Sequence, residues 1–162
     1  LVRNASCALD TSGCKPNFSE GFETLATLSP TFVTSGNPWA FDIVTAHSGN
    51  RSMHSAVISD NQTSSVTLTL TYESAGTISF WHMESTETCC DKLEFLIDGV
   101  LQNEWSSATW AQATFNVAAG SHTFQWRYAK DFSISTGLDT VWVDDIVATA
   151  GTMIAETAVW PT

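Results

Sequence analysis

The residues best able to do chemistry in this chain are its acids, its tryptophans and its four cysteines. Two acidic clusters stand at opposite ends of the sequence: Glu20 with Glu23, and the adjacent Asp144-Asp145. If Thr140 to Val147 alternates as a strand, Val141, Val143 and Asp145 share one face, and Trp142, Asp144 and Ile146 share the other. An acid in step with core valines needs a partner before it can be buried ionised. A hard cation supplies one, because calcium takes about six to eight oxygens from carboxylates and backbone carbonyls. First and last strands are often neighbours in a sandwich, so Glu23 and Asp145 are expected to meet. The Ser48-Gly-Asn-Arg-Ser52 turn would add carbonyls or the amide oxygen of Asn50. The alternative is an acidic edge that simply faces water.

Seven tryptophans form the second signal. Trp126 alternates with Phe124 and Tyr128, and Trp39 with Phe41, which reads as core. Trp81 and Trp142 have the opposite parity to their apolar neighbours. If both face outward on one sheet, Arg127, Gln125 and Glu94 join them as a platform for a sugar or a peptide. Trp105 and Trp110 flank Ser106 to Thr109, where each would either anchor a ligand or clamp the end of the fold. Trp packed beneath loops is the competing explanation for Trp81 and Trp142.

The cysteines are Cys7, Cys14, Cys89 and Cys90, with no C-x-x-C pair and no zinc spacing. An even count in a Ser/Thr-rich chain points to disulfides and an oxidising compartment, secreted or cell-surface. Cys7–Cys14 is the favoured pairing, leaving Cys89 and Cys90 as an adjacent pair or as free thiols. Pairing of the N-terminal segment to Cys89-Cys90 is the other possibility. No nucleophile elbow, zinc-protease, P-loop or dinucleotide motif is present. His82 shares parity with Ile78 and Phe80 and is expected to be a buried, hydrogen-bonded imidazole. Glu84, Glu87, Asp91 and Glu94 include pairs that a glycosidase would need, but acids are too common here for that to be a signal. The chain is therefore expected not to be an enzyme.

The elements that must position these groups read as strands. The hydrophobic fraction is 43% and only 14% of residues are charged, so the polar surface falls to Ser, Thr, Asn and Gln, which suits sheets. Alternation is clearest in Ser65–Tyr72, Thr77–Met83, Lys92–Asp98, Val100–Trp105, Trp110–Val117, His122–Tyr128 and Thr140–Val147. Phe18–Glu23, a short run around Trp39 to Ile43, and Met53–Ile58 precede them. Asp98-Gly99 between two such runs is a hairpin signal. Roughly nine short strands with regular turn residues predict an all-β jelly-roll sandwich of two antiparallel sheets. Residues 1–17 read as an irregular disulfide-bearing arm, 18–149 as the sandwich, and 150–162 as a linker or the start of a further domain of a longer exported protein. The formal charge of −11, from 17 acids and 6 bases, repels phosphates and so disfavours nucleic acid and anionic lipid. No stretch is apolar enough to insert in a membrane.

Several of these segments, in order, are similar to a known group. Phe18-Ser-Glu-Gly-Phe-Glu23 resembles its F-x-x-x-F-E opening. Gly76-Thr-Ile-Ser-Phe-Trp81, Asp91 to Gly99, Gly120 to Asp131 and Leu138 to Ile146 follow in the expected sequence. Together they resemble the MAM-like jelly rolls, including the cleaved-adhesin domains of bacterial secreted proteases. The resemblance implies a structural calcium ion held between the first strand, an early loop and the final Asp-Asp. That maps onto Glu20 or Glu23, the Gly49-Asn50 region, and Asp144 or Asp145. It fixes no ligand, and no pattern of the group contains the Cys7/Cys14 arm or Cys89-Cys90. The expected function is a non-catalytic, monomeric module that binds polysaccharide or an extracellular protein. The alternatives are a structural spacer beside a catalytic domain such as a secreted protease, or a polysaccharide-active enzyme.

Overall fold

The computed structural model describes residues 18–150, and every regular element among them is a strand. In chain order these are β1 (Phe18–Glu20), β2 (Phe32–Ser35), β3 (Ala40–Asp42), β4 (Ser52–His54), β5 (Thr63–Tyr72), β6 (Gly76–Ser85), β7 (Lys92–Ile97), β8 (Val100–Trp105), β9 (Ala111–Val117), β10 (Gly120–Ala129) and β11 (Thr140–Ala150). Sheet I has the order β3-β4-β11-β6-β9, with β1 pairing the far half of β11; sheet II has the order β2-β5-β10-β7-β8. All pairings are antiparallel. The expected two-sheet jelly roll is therefore the observed architecture. The sequence expectations for the Cys7/Cys14 arm and for the tail beyond residue 150 lie outside the described residues.

The two-residue period dictates the layers. Ile78, Phe80 and His82 on β6 point inward and meet Phe95 on β7 and Phe124 and Trp126 on β10, all essentially inaccessible to water. Phe80 sits with its ring centroid 4.7 Å from Phe95 and 5.4 Å from Trp126, which locks the two sheets face to face. Each such ring contributes about 1.5–3 kcal/mol by leaving water. The turn between β7 and β8 is the expected Asp98-Gly99, with φ of 51° and 79°, the two left-handed residues that a two-residue hairpin demands.

The strand list differs from the sequence reading in the first third of the chain. β2 lies in a Thr/Ser-rich stretch whose alternation is too short to see, and Phe32 is its one fully buried residue. Ile43 falls beyond β3 and is 76% exposed, while β4 (Ser52–His54) takes in only Met53 and His54 of the expected Met53–Ile58. β1 ends at Glu20, and Phe22, at φ 63°, turns its ring into the core.

A larger correction concerns β11. Asp144 pairs with Trp81, but the next pair is Val147 with Ser79, so β11 carries one extra residue against β6. Asp145 is in that β-bulge, at φ 47°. The inserted residue resets the alternation: Val141, Val143, Ile146 and Ala148 are the core series. Asp145 does not keep the parity of the valines. Asp144 is the fully buried acid, and the Asp145 side chain is 28% exposed.

Candidate functional site

The six residues expected to form a ligand surface do not come together. Trp81 and Trp142 are on the outer face of sheet I; Arg127 and Glu94 are on the outer face of sheet II, on the opposite side of the sandwich. The single platform is thus corrected to two separate faces, because β6/β11 and β7/β10 belong to different sheets. Trp142 is only 2% exposed and donates its indole N–H to Asp42 Oδ2 at 2.6 Å. Burial pushes the Asp42 carboxyl up, but that bond and the amides of Val44 and Thr45 outweigh it and hold it below its ordinary value. Trp81 is half-buried, and His47 stacks on it with ring centroids 3.8 Å apart; Trp110 meets His47 edge-on at 5.7 Å. Trp105 packs on Phe80, His82 and Phe115 and clamps one end of the core. The loop between β3 and β4 thereby covers part of the aromatic face of sheet I.

The outer face of sheet II is built differently. The registers place Glu104, Glu94, Arg127, Ser65 and Ser35 in one row across β8, β7, β10, β5 and β2. Arg127 Nε donates to Glu94 Oε2, which relieves the like charges of Glu94 and Glu104 set side by side. In the next row Gln125 Nε2 donates to Ser65 Oγ at 3.3 Å and stands beside Thr67. Thr69, Thr71, Thr123, Gln102 and Glu104 are exposed around them.

The two acidic ends of the chain do converge. β1 pairs with β11 at Glu20–Ile146, and a Cβ placed on Gly21 would stand 3.1 Å from Asp145 Oδ1. Asp144 Oδ2 accepts the amides of His47 and Ser48 at 2.8 and 3.2 Å, and Oδ1 accepts that of Asp145 at 2.7 Å. Burial still raises the Asp144 carboxyl above its usual value against those bonds, with the Asp145 charge adding to the rise. Asp145 binds His47 Nδ1 at 2.7 Å and Ser48 Oγ at 2.8 Å. Glu23 Oε1 accepts the amides of Asn50 and Arg51 at 2.9 Å, and Gly49 lies so close that a Cβ there would meet the Glu23 carboxylate at 2.5 Å. Glu20 Oε1 accepts the Phe22 amide. Asn50 is brought here through its backbone. Four carboxylates at one end of the sandwich are a hard-oxygen donor set of the type calcium takes. No three of them place ligand oxygens within 4.8 Å of one another, so backbone carbonyls would have to complete a shell.

His82 is 1% exposed, with Nδ1 2.8 Å from Glu84 Oε1, and Glu84 Oε2 accepts the Ser107 amide at 2.7 Å. Of the four acids considered for a glycosidase, Glu84 is held by His82 and the Ser107 amide on sheet I and Glu94 by Arg127 on sheet II. Cys89 and Cys90 are joined to each other by a disulfide, which resolves the adjacent pair. A group that sequence reasoning missed lies beside them: Glu87, Asp91 and Asp131 bring their carboxylates within 4.8 Å of one another. Only the register Lys92–Ala129, which sets Asp91 next to the end of β10, could have indicated it.

No protein-family model matches this sequence, and no curated protein matches it. Among solved structures, the chain is similar to the K3 cleaved adhesin domain of Lys-gingipain from Porphyromonas gingivalis, at 16% identity and a TM-score of 0.64, over 85% of this chain and 100% of that one. It is similar to the CBM22-1 xylan-binding domain of Xyn10C from Paenibacillus barcinonensis at 12% identity and a TM-score of 0.58, over 85% and 97% of the two chains. TmCBM61, solved in complex with β-1,4-galactotriose, gives 17% identity and a TM-score of 0.53, over 78% and 92%. None of the three carries the MAM label that the motifs suggested alongside the cleaved-adhesin one. At such identities the likeness establishes architecture: this chain has the jelly-roll fold that adhesin and carbohydrate-binding modules share.

Proposed function

We propose that this chain is a non-catalytic binding module of a secreted multidomain bacterial protein, and that its ligand is a polysaccharide lying across the outer face of sheet II. The observation that carries the reading is the row Glu104, Glu94, Arg127, Ser65 and Ser35, which crosses all five strands. Strands repeat about every 4.8 Å, so the row spans roughly 19 Å, with Glu104 and Ser35 exposed at its ends, Arg127 part-exposed between them and Ser65 buried. A neutral, hydroxyl-rich polymer matches such a face, and the net charge of −11 disfavours anionic ones. The fold shared with a xylan-binding domain and a galactotriose-bound module supports the same class of ligand. Calcium is part of this proposal as a structural ion between β1, the loop at 47–51 and the β11 bulge, where Glu20, Glu23, Asp144 and Asp145 and nearby carbonyls would hold it. Its contribution would be to neutralise repelling carboxylates and tie both ends of the chain together.

Isothermal titration against xylan, galactan, glucan and mannan, with collagen and albumin as protein ligands, tests the reading. Binding to a polysaccharide is expected to weaken at least tenfold in Arg127→Ala and Glu94→Gln and to survive Trp81→Phe. Retained affinity in both sheet II variants would remove that face, and binding only to the proteins would remove the ligand class.

A further inference from the structure

We propose that Glu87, Asp91 and Asp131 form a second site, separate from the β11 bulge, for a hard divalent cation. The site follows from strand register. β7 and β10 pair antiparallel with Lys92 opposite Ala129, so Asp91 and Asp131 leave the sheet as neighbours, and the Asp131 amide donates to Asp91 Oδ1 at 3.1 Å. Glu87 reaches the same point from the connection between β6 and β7. A calcium–oxygen bond is about 2.4 Å, so two ligands of one ion stand at most about 4.8 Å apart. The ligand oxygens of these three carboxylates all satisfy that bound.

An acidic cluster alone is ordinary; two orphaned oxygens make this one different. Asp91 is 0% exposed, and its Oδ2 has no hydrogen-bond partner. Glu87 Oε2 is likewise buried without a partner. A buried ionised oxygen left unpaired costs several kcal/mol, so both call for a positive partner. Lys130 supplies it only in part. Its Nζ donates to Asp139 Oδ1 and Oδ2 at 2.7 and 2.6 Å and to Ser135 Oγ at 2.6 Å, and stands 3.7 Å from Asp91 Oδ2. Lys130 therefore bonds Asp139, whose Oδ1 also accepts the Tyr128 hydroxyl, and its single charge is shared between Asp139 and the three carboxylates, which together outnumber it. Burial raises the Asp91 carboxyl, as it does that of Glu87 with the neighbouring Asp131 and Asp91 charges adding.

The donors define the ion. All are carboxylate oxygens on loops, and the neighbouring sulfurs are tied up as the Cys89–Cys90 disulfide, which leaves no soft ligand. Flexible oxygen ligands from three segments suit calcium better than the strict octahedron of magnesium. An ion there joins the end of β6, in sheet I, to the start of β7 and the end of β10, in sheet II. It also pins the segment after Asp131, where Phe132, Ile134 and Leu138 are 75%, 59% and 68% exposed.

The test is calcium titration calorimetry on the full, chelator-stripped chain. Asp91→Asn and Asp131→Asn are each expected to remove one equivalent of calcium, and Asp144→Asn to leave that equivalent in place. If the bulge takes no ion, wild type binds one equivalent and Asp91→Asn none, so the two sites fail separately. Glu87→Gln, whose side chain is partly accessible, guards against misfolding of the buried variants and is expected to weaken this equivalent at least tenfold. Wild-type amide resonances of Asp91, Asp131 and Ser133 should shift during the titration. Unchanged stoichiometry and affinity in folded Asp131→Asn and Glu87→Gln, or calcium uptake without movement of those amides, overturns the proposal.

Discussion

The two outer faces of this sandwich have the same strand geometry and opposite character. On sheet I, Trp81 and Trp142 are covered, one by the stacked ring of His47 and the other by neighbours that include Asp42. On sheet II, Glu104 and Ser35 at the ends of the row are exposed and Arg127 at its centre is 35% accessible, while Ser65 is buried. The aromatic face serves stability, because its rings hold the β3–β4 loop down. The polar face retains groups able to exchange bonds with a ligand. Large aromatics on an outer face are thus no guide to binding unless the loops are known, since a loop of about ten residues can cover them wholly or in part.

The largest effect that would break this contrast concerns Trp142. Trp142→Ala is expected to cost about 3–5 kcal/mol in urea unfolding, through a cavity and an unpaired Asp42, while leaving polysaccharide affinity unchanged. Asp144→Ala should cost about 3 kcal/mol, because three amides lose a charged acceptor. Loss of affinity with little loss of stability in Trp142→Ala would reverse the roles of the faces.

Metal removal comes next. If calcium binds the folded chain alone, saturation at a hundred times its dissociation constant adds about 2.7 kcal/mol, or roughly 5–10 °C in Tm. Chelator should lower the calorimetric Tm by that amount and calcium should restore it. An unchanged Tm would mean that the amide bonds to Asp144 and Glu23 suffice to hold the bulge and its loop.

On the polar face, Arg127→Ala should change stability by less than about 1 kcal/mol, because the Glu94 pair is part-exposed. Its larger effect is the tenfold loss of affinity. A stability loss equal to that of Trp142→Ala would show that sheet II, too, is held by its outer face.

The smallest effect is at the hairpin edge of sheet II. Asp98 is lowered by the Thr123 amide and by His122, and His122 is raised by its bond to Asp98 at 2.6 Å. The His122 contribution is complete below its unfolded value of about 6.5 and fades as pH rises through the higher folded value. The Asp98 contribution is complete above about 3.9 and fades as pH falls through the lower folded value. NMR titration should place the His122 midpoint above an ordinary histidine, returning toward it in Asp98→Asn.

Much of the fold was legible because alternation survives wherever one sheet face is buried. β5, β6, β7, β10 and the Asp98-Gly99 turn follow the pattern directly. β2 and β4 did not, since three or four residues leave too few periods to read. The meeting of Glu20, Glu23, Asp144 and Asp145 was legible from first-to-last strand pairing, but their roles were not. One inserted residue at Asp145 exchanged the buried and the partly exposed acid.

Local periodicity and turn chemistry determined by themselves that the chain forms two antiparallel layers, which residues line the core, and that acids from both ends approach each other. Tertiary structure alone decided that Trp81 and Arg127 lie on opposite sides, that His47 covers the tryptophan, and that Glu87, Asp91 and Asp131 converge beside Cys89–Cys90. The reason is physical: alternation reports whether a side chain points in or out of its own sheet, whereas the sheet a strand joins, and the loop that folds over it, are set by long-range register.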